Sequence, residues 1–174
     1  MERERALEIM KDSRVGAFGA IAICLVLVTK ISLLGLLGQA SIGAMVSAIF
    51  LAHVVSRTCP LFLIRLLPHV GDLAGSKSKP LADQITGECL GVAIAWCLGA
   101  LLLYFVLASW LQIGLIPAPW HARALAGALA LSALTFVHMW RWFARRLQGF
   151  TGDCLGATQQ LCELAFYLGW ALCL

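Results

Sequence analysis

Apolar residues run along this chain in long blocks parted by short polar segments. The first block extends from about Val15 to Leu37, interrupted only by Lys30, and the second from about Ile42 to Leu66. A polar stretch, PHVGDLAGSKSKPLADQITGE, then leads to a third block from about Cys89 to Ile116, which stops at the turn-forming Pro117 and Pro119. A fourth, shorter block covers about Ala124 to Trp140 and is closed by Arg141, Arg145 and Arg146; the last begins near Leu155 and reaches Leu174. A helix needs roughly 20 apolar residues to cross a bilayer core, and every backbone group in such a stretch must be paired internally. The pattern therefore predicts an all-α, polytopic transmembrane bundle with about five membrane-spanning helices, forming one integral membrane domain over residues 1–174.

Composition agrees with lipid as the solvent. Of 174 residues, 61% are hydrophobic and 13% charged, and the mean hydropathy is +0.89, more apolar side chain than a soluble domain of this size buries. The charge pattern adds an orientation. Five alternating spans place the N-terminus, the 67–88 loop and the 141–154 loop on one face, and that face carries ten of the thirteen basic residues. Basic residues in short loops stay cytoplasmic, so the N-terminus is expected in the cytoplasm and the chain in the cell inner membrane. The net charge of +4 is what a positive cytoplasmic rim gives, with attraction to anionic lipid and no indication of nucleic-acid binding. No A-x-A-like cleavage site follows the first block, which is expected to remain as an anchor.

Some features indicate packing and no chemistry. The seven cysteines lack CxxC spacing, and the four histidines form no metal-ligand pattern. Small residues recur every four positions, at Gly91, Ala95 and Gly99 on the third span and at Ala124, Ala128 and Ser132 on the fourth. Such stripes let helices approach closely.

Candidate chemistry lies near the two ends of the chain and at one interior arginine. Residues 1–14 alternate between faces as an amphipathic helix lying on the cytoplasmic membrane surface, with Asp12, Ser13 and Arg14 where it turns into the first span. A carboxylate and a guanidinium there could hold a cation and a phosphate, or merely pair with each other. In GFTGDCLGATQQLCELAFYLGW, Thr151 or Asp153 is positioned to cap the last helix. Gln159, Gln160 and Glu163 share a face that lipid would penalise, so they are expected to point inward as a polar cluster or a binding site. Arg57 lies ~15 Å of helix from the end of its span, too deep for easy snorkelling, with Pro60 just beyond it. Either a phosphate or a buried carboxylate such as Glu163 would satisfy it.

The strings RERALEIMKDSRVGAFGA and TGDCLGA resemble the corresponding stretches of the cobalamin synthase (adenosylcobinamide-GDP ribazoletransferase) family. Val55-Ser56-Arg57 is similar to a shorter landmark between them, and Lys30 has a counterpart in the family's equivalent helix. The resemblance implies a Mg²⁺-dependent transfer in cobalamin biosynthesis: α-ribazole or its 5′-phosphate displaces GMP from adenosylcobinamide-GDP. On that basis Asp12, Asp153 and Arg57 are the catalytic candidates, with Asp12 and Asp153 as metal ligands. Ser13, Arg14, Lys77, Lys79 and Glu163 are the substrate-binding candidates. The family also carries further helices and an Asp-rich HLDGLADTxDG signature ahead of the region that opens this sequence. The expectation is an N-terminally truncated form that lacks turnover until that segment is restored. The alternatives are a small membrane carrier lined by Lys30, Arg57 and Glu163, or an inactive membrane fragment; self-association into a homo-oligomer is left open.

Overall fold

A computed structural model of the protein describes residues 3–12, 14–70, 85–111 and 118–173. Six helices occur among them: α1 (Arg3–Lys11), α2 (Ala17–Ala40), α3 (Ile42–Leu66), α4 (Gly87–Leu111), α5 (Ala118–Arg146) and α6 (Gly152–Leu172). Four of these, α2 to α5, are long and apolar enough to cross a membrane. The sixth is 21 residues long but carries Asp153, Gln159, Gln160 and Glu163, and the bundle shields it from lipid.

Burial separates the helices into an inner and an outer group. On α6 the buried positions Cys154, Thr158, Cys162, Phe166 and Trp170 recur at four-residue intervals, with Glu163 and Tyr167 on the same inward side. That helix packs against α5, α3 and α2. By contrast α2 fully buries only Leu37, with Leu33 and Leu34 packed partly against the core, and most of its other apolar residues face outward, as on a helix bathed in lipid. Helix α4 is similarly bare and meets the core through Tyr104, whose ring contacts Trp170 edge-on at 6.5 Å. The fourth span is longer than its apolar block suggested, because α5 continues through Arg141, Arg145 and Arg146.

The small-residue stripes meet different fates. Ala124, Ala128 and Ser132 of α5 are buried, and α5 and α6 approach so closely that a Cβ on Gly169 would run into the backbone of Gly127 and Ala128. Gly91 and Gly99 of α4 face open space. The expected close approach of the α4 stripe is not found among the described residues, because α4 turns its Tyr104 side to the bundle instead.

Connections between helices fix which ends lie together. Ser41 alone separates α2 from α3: its N–H closes α2 on the Leu37 carbonyl at 2.9 Å, and its Oγ accepts from Ala44 N–H at 3.4 Å. Beyond α5, Gln148 adopts φ 53°, a left-handed turn that ends the helix. Phe150 N–H then donates to the Pro68 carbonyl at 3.0 Å and Val70 N–H to the Phe150 carbonyl at 2.9 Å. Gly149 permits this crossing, since a Cβ there would strike Val70 and the Pro68 carbonyl. Arg3 Nε donates to the Leu147 carbonyl at 2.8 Å, placing a cation at the C-terminal end of α5. Helix α1 and the segments after α3 and α5 thus gather at one end of the bundle, over a core of Leu63, Ile64, Met139, Phe143, Leu147, Phe150 and Cys154.

Candidate functional site

Two polar regions result, one inside the spans and one at that gathered end. Inside, Lys30 Nζ of α2 lies 2.7 Å from Glu163 Oε1, and Tyr167 donates its hydroxyl to the same oxygen at 3.0 Å. Lys30 also donates to Gln160 Oε1 at 3.4 Å. Glu163 is almost fully buried, as its sequence context predicted, whereas Gln160 is exposed. Its carboxylate is used within the bundle by Lys30 and Tyr167, a structural arrangement that holds α2 to α6.

Arg57 does not pair with Glu163, whose close cation is Lys30. Its Nη1 donates instead to His53 Nδ1 at 2.9 Å and to the His53 carbonyl at 3.2 Å, one turn back along α3. An arginine has no acceptor, so this bond uses Nδ1 as acceptor and leaves the ring proton on Nε2. His53 Nδ1 in turn lies 3.8 Å from Glu163 Oε1. Helix α3 runs unbroken through Pro60, and Arg57 is exposed beside a recess of about 620 Å³ lined by Val46, Ile49, Phe50, His53 and Val54.

At the gathered end, α1 leans over the junction of α5 and α6 and encloses a cavity of about 550 Å³. Ala6, Ile9 and Met10 form one wall, Trp142, Phe143, Arg146 and Leu147 the second, and Asp153, Cys154 and Ala157 the third. Helicity explains the first wall: Ile9 and Met10 follow Ala6 by three and four residues and so share its side of α1. Asp153 sits in the first turn of α6, where the positive end of the helix favours a carboxylate. Thr151 is the N-cap residue, as expected, but its side chain makes no capping bond; its hydroxyl lies 3.4 Å from Cys154 Sγ instead.

Asp12 follows α1 directly and is closed into a fork with Arg14. The guanidinium reaches both carboxylate oxygens, at 3.0 Å and 2.8 Å, and the Arg14 N–H adds a third bond at 3.0 Å. These bonds hold the Asp12 carboxyl below the usual carboxylate range and raise Arg14 correspondingly. No group of three or more His, Cys, Asp or Glu converges among the described residues, and Asp12 is already engaged by Arg14. The described residues do not by themselves fit a magnesium centre. Asp153 lines the α1 cavity, and Arg57 lines the separate recess on α3. Ser13, Lys77 and Lys79 lie outside the described residues.

Residues 1–171 match the family model described as cobalamin-5-phosphate synthase. The chain belongs to that family. It is 60% identical over 98% of its length to a protein of Albidiferax ferrireducens named adenosylcobinamide-GDP ribazoletransferase. Proteins of the same name from Polaromonas naphthalenivorans and Vibrio cholerae are 50% and 44% identical, over 99% and 97% of this chain. The chain spans 62%, 62% and 58% of the lengths of those three relatives. No solved structure matches. The structure draws in residues that sequence reasoning passed over as site residues, chiefly His53, Trp142, Arg146 and Tyr167. For two of them a signal existed, because His53–Arg57 and Glu163–Tyr167 are both spaced i,i+4 on a helix.

Proposed function

We propose that this chain supplies part of the catalytic body of an adenosylcobinamide-GDP ribazoletransferase, acting at the cytoplasmic side of the bacterial inner membrane late in cobalamin biosynthesis. The observation that carries this reading is the family match over residues 1–171 together with 60% identity to a relative of that name. In the reaction a hydroxyl of α-ribazole, or of its 5′-phosphate, attacks the phosphorus on the corrinoid side of the pyrophosphate. The P–O–P bond breaks, GMP leaves with the bonding electron pair, and the hydroxyl proton is released.

Such a transfer asks chiefly for positioning and for cations around the phosphates. Arg146 lines the α1 cavity with the carboxylate of Asp153, and Arg14 is forked to Asp12 just ahead of α2; both are assigned to phosphate oxygens and substrate placement. Arg57 is assigned to an anionic group reaching the α3 recess, because among the described residues its guanidinium makes only the Nη1 bonds to His53. A guanidinium within a membrane span calls for more partners than that. Magnesium, held by ligands beyond the described residues, would supply positive charge at the pyrophosphate. A carrier function has less behind it: the Lys30–Glu163 pair ties two helices together and lines neither recess described above.

A chimera tests the reading directly. Residues 1–174 replace the matching segment of the Albidiferax ferrireducens relative, and membranes are assayed for GMP release from adenosylcobinamide-GDP with α-ribazole. The expected result is GMP formed in step with a nucleotide-bearing corrinoid product. A chimera that reaches the membrane at the relative's level and releases no GMP overturns the proposal.

A further inference from the structure

We propose that the cavity between α1, the end of α5 and the start of α6 seats a flat aromatic N-riboside, with Arg146 meeting its 5′-phosphate and Asp153 accepting from a ribose hydroxyl. The inference rests on the transferase reading for the identity of the riboside, α-ribazole, and otherwise on the cavity itself. Its volume of about 550 Å³ lies within the ~300–1,000 Å³ of small-molecule sites.

The chemistry of the walls selects the class of occupant. Trp142 and Phe143 stack on each other at 5.6 Å and 26°, and Trp142 is 51% exposed, so a broad ring surface is available beside the cavity. Ile9 and Met10 face it from α1, and methionine adapts readily to an aromatic edge. A slot with an apolar body suits the face of a fused aromatic base. Arg146 and Asp153 stand in the same lining and supply one donor fork and one acceptor. A bare phosphate would leave the apolar walls unused. An acyl chain would leave both charges without a partner, at a cost that grows as water is excluded. A molecule with a flat base, a hydroxylated sugar and an anionic end uses every surface. Arg3, bonded to the Leu147 carbonyl, pins α1 in place as the wall opposite Trp142.

The test uses the full chain in nanodiscs, titrated with α-ribazole and with its 5′-phosphate by calorimetry and by tryptophan quenching. The phosphate is expected to bind more tightly than the riboside. Arg146→Gln should abolish that advantage while leaving riboside affinity unchanged, and the exposure of Arg146 makes this variant safe for folding. Trp142→Ala should weaken both ligands roughly tenfold, ~1.4 kcal/mol, and Trp142→Phe should restore most of the loss. Unchanged affinities in the Trp142→Ala and Arg146→Gln variants overturn the proposal. So does a phospholipid retained in the cavity by native mass spectrometry that neither ligand displaces. Failure here with a working chimera removes the cavity assignment and spares the transferase reading. The binding pattern described, found together with a chimera that releases no GMP, does the reverse.

Discussion

Breaking the Lys30–Glu163 pair one side at a time should reveal how the core of this bundle is held. At 2.7 Å and an effective dielectric of ~20, the attraction is ~6 kcal/mol before desolvation is subtracted. Desolvation of two buried ions cancels much of that, and removal of one partner from a buried pair typically costs ~3–5 kcal/mol. Helices that stay in the membrane when separated find other polar partners, which lowers such values. The two single variants should also differ. The Lys30 side chain is 21% exposed and already reaches Gln160 at 3.4 Å, so after Glu163→Gln it has a partner and a route outward. The Glu163 side chain is 2% exposed and has only the Tyr167 hydroxyl within hydrogen-bond distance once Lys30 is gone. Lys30→Met is therefore expected to cost ~3 kcal/mol and Glu163→Gln ~1.5 kcal/mol. The double variant should recover ~1–2 kcal/mol of their sum. Reversible unfolding of the purified protein in mixed micelles, followed by circular dichroism, gives the cycle. A coupling energy below ~0.5 kcal/mol, or a larger cost for Glu163→Gln than for Lys30→Met, would refute the reasoning.

Two other outcomes follow from local geometry. Gly169→Ala should destabilise the protein by ~1–3 kcal/mol in the same unfolding assay, because the new methyl meets the backbone of Gly127 and Ala128, whereas Gly91→Ala should be neutral or slightly stabilising. The Asp12 carboxyl, titrated by carbon NMR in the full chain, should ionise below the ordinary carboxylate value of about 3.9 and return to it in Arg14→Gln. The sign is that of a depressed acid: whatever the fork contributes is present above the unfolded-state pKa and is lost as pH falls through the folded one.

Much of the fold was legible because lipid imposes a simple rule on the sequence. The second span was expected from about Ile42 to Leu66 and α3 has those bounds, while α2 and α6 begin or end within a few residues of their expected limits. Length and hydropathy suffice where a helix must satisfy its own backbone. The fourth span was underestimated for the same reason: Arg141, Arg145 and Arg146 end the apolar block but not the helix, since basic residues are good helix formers and favour a helix C-terminus. Hydropathy also says nothing about which face of an apolar helix meets protein. The stripes on α4 and α5 look alike in sequence, and only packing against α6 distinguishes Ala128 from Ala95.

The site was less legible, because its residues are joined by contacts between elements distant in the chain. Glu163 announced itself as a carboxylate that lipid would reject, and its inward direction followed from that alone. Its partner did not follow: Arg57 and Lys30 were both intramembrane cations, and choosing between them required the side-by-side placement of α2 and α6. Asp12 and Arg14, read as a place for a cation and a phosphate, lie close enough to satisfy each other, which spacing of two residues already permitted. The α1 cavity could not be anticipated at all, since α1 and α5 are brought together by an arginine bonded to a carbonyl 144 residues away. Arg146 read in sequence as a positive-inside charge, and Trp142 was not singled out. They become a ligand surface only when a nine-residue helix at the other end of the chain closes over them. Charged and aromatic residues at a membrane boundary therefore carry two meanings, and the second appears only when tertiary contacts give them an opposing wall.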